Sequence, residues 1–510
     1  MKTLITIILS CLLISAFSQT LEPYVQKDNF YSPDFTEFQG DFYFVAGRNA
    51  IWKKDAATGI ESKITDLTYE TELHIVDNKL IFIADLLSLG RELWTYDGTN
   101  LSLLMDFTLG SNSTQFNQLF MHNNELFFVI YRSGSMHELW TTDGTNAGTS
   151  LVKTIGLNYS NSLENSAHAE LNGLLYFTDR IGNLWESDGT TSGTKIVYTN
   201  IAQTNSWVPY HIVAYNGQIY FTSCDISEDC EIYKYDASTG SASLAIDVTS
   251  NLSSFPSQYY VFKNKLFFQA KHSGGFQEMH VSDGTNQGTK LLKIINPTGN
   301  SNANIMAEFD GNLYFCARNS AGLLDVYRTD GSTAGTEMFF DIPITDPQLW
   351  DPLTIASSST SLIFATISDL GQFQLFISDG DKQNINKIHT STYEQFFDIS
   401  NIEIIDNELY VSGRSTTKRG TIWKLSSLII SGIDDEIIDE TFTIYPNPSN
   451  GTVYFNAEGV KSVEVVDLQG RVIEYSEFEN HLDLHDLSSG MYILKFQKAD
   501  GYIVKSLFLD

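Results

Sequence analysis

The sequence predicts an all-β chain: a closed β-propeller of four-stranded blades followed by a small Ig-like β-sandwich. Three observations predict it. A phrase clearest as ELWTTDGTNAGT, Glu138–Thr149, returns as ELWTYDGTN from Glu92, NLWESDGTTSGT from Asn183, EMHVSDGTNQGT from Glu278 and DVYRTDGSTAGT from Asp325. Ahead of three copies an Asn-Gly or Asp-Gly sits between two apolar runs, in Glu170–Phe177, Val213–Phe221 and Ala307–Phe315. Past Leu428 the phrase stops, and a block of short strands with its own Gly-marked turns begins.

Taken in order, the chain opens on a secretory signal. Lys2 supplies the positive start, Leu4 to Phe17 the apolar run, and Ala16-Phe17-Ser18 a small-x-small cleavage site, which assigns residues 1–18 to the signal. Cys11 stands in Ile-Leu-Ser-Cys, but the apolar run continues past it, against a lipoprotein box. No later stretch is long and apolar enough to span a bilayer as a helix. The next segment, Leu21–Asp28, reads as a stray strand.

Residues 19–428 form the repeat. Leu139 and Trp140 belong on a strand, Asp-Gly marks a turn, and Gly148-Thr149 leads into the strand from Ser150. With the Asn-Gly hairpin upstream, each unit has two hairpins and so four strands. Weaker copies stand at Ala50, Glu231, Gln374 and Thr421. The aromatic or equivalent residue of each copy gives Trp52, Trp94, Trp140, Trp185, Tyr233, His280, Tyr327, Phe376 and Trp423, spaced by 42 to 49 residues. That even period is that of a propeller blade. Nine units are counted; with one merged or displaced, eight would close. The last unit lacks a fourth strand, and the stray N-terminal strand is expected to complete it, pairing the edge that a ring would otherwise leave open.

Residues 429–440 read as an acidic linker. From 441 to 510 short strands are expected at 442–445, 452–455, 463–466, 472–475, 491–496 and 502–507, enough for a small sandwich.

Two resemblances follow from these residues. The phrase resembles the ELWxxDGTxxGT repeat family of secreted bacterial proteins, over roughly residues 21–428, which implies a propeller and no particular chemistry. The tail is similar to the type A C-terminal sorting domain of type IX secretion cargo. It carries Tyr445, Pro446, Asn447, Pro448 and Gly451, then Val466–Arg471 with Gly470, then Asp486–Ile493 with Gly490 and Tyr492. That resemblance implies a Gram-negative exporter, the type IX machinery as partner, and a protein released or held at the outer cell surface.

Composition narrows the function. There are 31 Lys and Arg against 62 Asp and Glu, a net charge of −31, which argues against nucleic acid or an anionic membrane as partner. Export permits disulfides, and Cys224 and Cys230 flank a loop between two expected strands, so a local bridge is expected; Cys316 reads as a core residue. No Cys/His set has zinc spacing, and no phosphate loop or nucleophile elbow is present, so neither metal, cofactor nor catalytic residue is assigned. The loops between second and third strands and those between units are expected to share one end and to be the longer and more varied ones, as at 85–91, 131–137, 224–230 and 271–277. Trp207, Trp350, Tyr131 and Arg132 at that end are the ligand-binding candidates. Packing is the competing reading, because aromatic–Pro elements at Trp207 and Trp350 belong to the repeat. The reading is a secreted or surface binding protein for a glycan or protein. A carbohydrate-active enzyme with its site at the propeller mouth is the alternative, since two acids suffice for that chemistry.

Overall fold

The structure, a computed structural model, describes residues 20–26, 34–46, 50–65, 67, 73–132, 136–156, 168–179, 182–200, 211–225, 227, 229–250, 252–342, 354–368, 372–390, 396–405, 408–415, 421–425, 442–455, 460–466, 472–476, 481–485, 487–498 and 501–509. The proposed signal (1–18), the linker (429–440), Trp207, Trp350 and Gly470 lie outside them. Every element among the described residues is a strand, and the chain divides into two compact units, 20–428 and 429–510 together with 1–19.

Within 20–428 the strands form sheets in sequence order. Seven separate four-stranded sheets begin at Phe35, His74, Gln115, His168, Ile212, Ser257 and Asn304. Two further sets, from Thr354 and Phe396, are joined into one eight-stranded sheet. All nine repeat aromatics lie on the third strand of their unit. The strand Thr20–Gln26 is the link between the last two sets. It pairs antiparallel with Thr421–Leu425, supplying the fourth strand that the last unit lacks, and its first two residues pair parallel with His389 and Thr390.

The local reasons are those of hairpin chemistry. Asp77-Asn78, Asn123-Asn124 and Lys263-Asn264 take positive φ at both central positions, the two-residue turn that matches strand twist. Asn216-Gly217 and Asp310-Gly311 do the same with the Gly that the sequence announces. Across the second and third strands the repeat aromatic pairs with a Phe. Phe177 and Trp185 stack at 6.1 Å, Phe268 and His280 at 5.5 Å, Phe315 and Tyr327 at 5.8 Å, and Phe364 and Phe376 at 5.4 Å. His280 is therefore a packed residue, and burial pushes its pKa down to about 4.

Neighbouring units share cores. Phe38 and Tyr43 pack with Leu80 and Phe82; Ile81 with Phe128; Phe127 with Leu175; Tyr176 with Phe221; Tyr220 with Phe268; Phe267 with Phe315; and Tyr314 with Phe364. Another cluster unites the first unit with the last: Phe35, Phe42 and Phe44 with Tyr410 and Ile422, and with Val25 from the N-terminal strand. Each fully buried Phe contributes about 2–3 kcal/mol to such a core.

One expectation is corrected. The connections between second and third strands were expected to be long and varied along with those between units. They are hairpin ends. Asp85 pairs with Arg91, Tyr131 with His137, Cys224 with Cys230 and Lys271 with Gln277. Each strand pair runs up to a short turn, 87–89 and 272–276 for example, and that turn holds polar residues such as Ser88 and His272. The longer connections run from one unit to the next, for example 106–114, 247–256 and 292–303.

The unit 429–510 has two sheets, one of three strands (Ile444–Tyr445, Thr452–Phe455, His481–Asp483) and one of four (Val472–Ser476, Ser462–Val466, Gly490–Lys498, Gly501–Leu509). His481–Asp483 was not expected as a strand. Phe442, Val453, Phe455 and Leu482 meet Val463, Leu494, Phe496 and Ile503 in a single core between the two sheets.

Candidate functional site

The two ends of a repeat unit are built differently. At one end lies the Asp-Gly-Thr turn. Asp143 Oδ1 accepts from the Thr145 backbone N–H at 2.8 Å and hydroxyl at 2.6 Å. The Gly148 N–H donates to Thr145 Oγ1 at 2.9 Å, and the Thr149 hydroxyl to the Thr145 carbonyl at 2.7 Å. The same bonds recur around Asp188, Asp283 and Asp330. Hydrogen bonds from Thr145, Thr190, Thr285 and Ser332 hold these four carboxyls below the usual range. The repeated Asp residues are thus consumed by their own turns.

At the other end stands the first residue of the phrase, which the sequence reading passed over. Glu92, Glu231, Glu278 and Asp325 begin their third strands and are at most 3% exposed. Glu92 accepts from the Phe107 N–H at 2.9 Å and the Thr114 hydroxyl at 2.8 Å, which spans the connection to the next unit. Glu231 does the same with the Val248 N–H at 3.1 Å, the Ser254 N–H at 2.9 Å and the Ser254 hydroxyl at 2.6 Å. Glu278 accepts from the Asn296 N–H at 2.8 Å, and Asp325 from Asn319 Nδ2 at 2.8 Å. Where the fourth unit has Asn183 instead, Asp179 from the neighbouring strand supplies the carboxylate. It binds Asn183 and the Trp185 indole N–H, while Asn183 Oδ1 accepts from the Asn200 N–H. Glu92, Glu231 and Glu278 thus latch the connection to the next unit, and Asn183 does so through its amide oxygen, while Asp325 and Asp179 bond within their own hairpins.

Burial pushes Glu92 and Glu231 up to about 7 and Asp325 up to about 6, and raises Glu278 as well. The donated N–H and O–H groups oppose that rise without cancelling it. The signal for these acids was in the sequence: an acid or Asn recurs five residues ahead of the turn Asp, as at Glu92, Glu138, Asn183, Glu231, Glu278 and Asp325, at a position where a strand gives no local reason for one.

Tyr131 and Arg132 are the last two residues of the strand Glu125–Arg132. Tyr131 makes an edge contact with buried His137 at 5.4 Å. Arg132 is committed within the chain: Nε donates to Glu138 Oε2 at 2.8 Å, and Nη1 to the Phe107 carbonyl at 2.9 Å and to Thr108 Oγ1 at 3.2 Å. It thereby ties the third unit to the connection that Glu92 also holds. Cys224 and Cys230 form the expected disulfide, closing another hairpin at this end. Cys316 is wholly buried. Among the described residues no three or more His, Cys, Asp or Glu side chains are grouped so as to hold a metal ion, and no helix is long and apolar enough to cross a membrane.

In the tail the motif residues divide into buried and exposed. Tyr492 is buried, and its hydroxyl donates to the Ser488 carbonyl at 2.7 Å. Gly451 takes φ +115° with its carbonyl accepting from the Leu484 N–H at 2.6 Å, and a Cβ there would press on His485 at 2.7 Å. Gly490 takes φ +154°. Tyr445, Pro446, Asn447 and Pro448 are exposed, and Asn447 Oδ1 accepts from the Phe508 N–H at 2.9 Å.

Comparison with known proteins places this tail. Residues 443–510 match the family described as the secretion system C-terminal sorting domain. Such a tail marks proteins carried by type IX secretion to the cell surface or extracellular space of Bacteroidetes. No curated protein matches the chain. Similar solved structures include PorZ, described as an essential bacterial surface component of the type-IX secretion system of human oral-microbiomic Porphyromonas gingivalis. It has 13% identity over 93% of this chain and 75% of that chain, with a TM-score of 0.37. The computationally designed Ika8 protein has 13% identity over 79% and 99%, with a TM-score of 0.39. The extracellular domain of BT4673 from B. thetaiotaomicron has 12% identity over 95% and 76%, with a TM-score of 0.36.

Proposed function

We propose that the chain is a secreted or surface-held binding protein. Residues 19–428 form a closed nine-bladed propeller that presents its connection end to a glycan or protein, and 441–510, behind the linker 429–440, carry it out after the signal 1–18 is removed. The export part rests on the sorting-domain match at 443–510. Ring closure is supported by the N-terminal strand paired into the last unit and by the core cluster uniting the first unit with the last. The binding end is inferred from contrast. One end carries the same short turn in unit after unit, while the other carries connections of different length and composition, four of them pinned by Glu92, Asn183, Glu231 or Glu278. Trp207, Trp350 and Tyr131 are assigned to ligand contact, and Arg132, bonded to Phe107 and Thr108, to holding that connection in place.

Binding is preferred over glycoside hydrolysis for one reason. Hydrolysis asks for two acids facing a substrate about 5–10 Å apart. The buried acids Glu92 and Glu231 spend both oxygens on the chain's own N–H and O–H groups. A glycan array and a protein pull-down with residues 19–428 test the reading. Binding that Trp207→Ala and Trp350→Ala weaken without lowering the melting temperature is expected. Blank results in both assays would sink it.

A further inference from the structure

The aromatic residues of the tail are exposed in a way that those of the repeat units are not. Of the large apolar side chains exposed among the described residues, those in 20–428 are Ile, Leu and Met alone. Among the described residues the exposed Tyr and Phe side chains belong to the tail: Tyr445 at 59%, Phe508 at 46% and Tyr454 at 41%. Tyr445 and Tyr454 are cross-strand partners, stacked at 5.8 Å with their planes 20° apart. Tyr454 in turn is the cross-strand partner of exposed His481, ring centroids 5.7 Å apart. Strand alternation puts their neighbours Phe455, Val453 and Leu482 into the core and these three rings on the opposite face. The result is a row of rings across all three strands of the smaller sheet, beginning at the Tyr-Pro-Asn-Pro loop. The backbone of Phe508 is fastened to that loop through Asn447 and Ser449.

Packing and backbone conformation account for three other motif residues. Gly451, Gly490 and Tyr492 build the sandwich; nothing in the fold requires an exposed Tyr at 445. Exposed stacked rings cost solvation and are retained where a partner covers them. A tail that directs export has to be read from its own surface, whatever cargo precedes it.

We propose that the Tyr445–Tyr454–His481 row, with the Tyr-Pro-Asn-Pro loop at its edge, is the surface on which a protein of the type IX machinery docks. The occupant is a protein with an apolar, aromatic-accepting groove. The row is made of two tyrosines and a histidine, with no Asp, Glu, Lys or Arg among its three rings, so carboxylate or ammonium charge does not supply the recognition. Stacking and desolvation of the rings do. The inference rests on the export reading above, and its test separates the two.

The full chain is expressed in a type IX-competent host as wild type, as Tyr445→Ala/Tyr454→Ala, as the control Glu464→Ala/Lys495→Ala on the outer face of the other sheet, and without residues 441–510. Loss of central aromatic anchors lowers affinity on the order of 30-fold or more. The double Tyr variant is therefore expected in the periplasm with an unchanged melting curve, while the control is exported. A photo-crosslinking residue at position 454, but not at 461, is expected to join a type IX component. That second measurement stands even if the double variant folds poorly. Normal export of the Tyr variant together with retention of the truncated chain would overturn the docking surface alone. Normal export of the truncated chain would overturn the export reading itself. Normal export of the Tyr variant with loss of surface attachment would identify a glycan on the row, and would also overturn the proposal.

Discussion

Gly148, Gly193, Gly288 and Gly335 are held in the turn by something other than φ. Their backbone is ordinary, but a Cβ at each would overlap the carboxylate of Asp143, Asp188, Asp283 or Asp330. Gly144, at φ +81°, is the residue held by its dihedral angle. Gly148→Ala is therefore expected to cost about 3 kcal/mol, since the Asp143 carboxylate has to move and drop its bonds. Gly144→Ala is expected to cost about 1 kcal/mol. Chemical denaturation of residues 19–428 checks both. The latching acids give a pH prediction. Glu92 and Glu231 rise from an ordinary 4.5 to about 7 in the folded chain. The stability they contribute is complete below about 4.5 and is lost as pH rises through about 7. The turn Asp residues have lowered values, so their contribution runs the other way and is lost only as pH falls below the ordinary carboxylate range. The melting temperature is expected to rise from pH 8 to pH 5, and Glu92→Gln/Glu231→Gln to flatten that rise. An unchanged slope in the double variant would refute the assignment. The Asp-Gly-Thr turn was legible in the sequence because its bonds are local. The latches were not, because their partners lie about 15 to 23 residues away in another connection.

Between elements, a shared irregularity sits beside the repeat aromatic. The ladder between third and fourth strands slips at Trp94, Trp140, Trp185, Tyr233 and Tyr327, one bulge in the same place in five units. A bulge adds local twist, which lets flat strands splay into successive packed sheets. Sequence alternation cannot announce it, since the extra residue is defined only by its partner strand. The strand Thr20–Gln26 is the most exposed to test. Tyr24 lies between Lys54, 3.9 Å from its ring, and Lys424 at 5.1 Å, and meets Phe42 and Tyr410 edge-on. A chain lacking residues 20–26 leaves the Thr421–Leu425 edge unpaired, so it is expected to melt lower and to self-associate in size-exclusion chromatography. The hairpin disulfide closes a short loop, and Cys224→Ser is expected to cost only about 2 kcal/mol under oxidising conditions.

For the molecule as a whole, export and folding are expected to be separable. The unit 429–510 has its own core, and the unit 20–428 has its own. Removal of 441–510 is thus expected to leave the melting curve of the repeat units unchanged while stranding the protein in the periplasm, as fractionation and immunoblotting would show. A large loss of stability on truncation would contradict that separation.

By itself the sequence determined the strand count of each unit, the turn chemistry and the identity of the tail. Each depends on residues close along the chain, where spacing is enough to specify pairing. Only the tertiary structure decided which acids are buried, how the connections between units are pinned, and which tail aromatics face solvent. Those properties belong to partners far apart in sequence, and solvent exposure exists only once the sheets have packed.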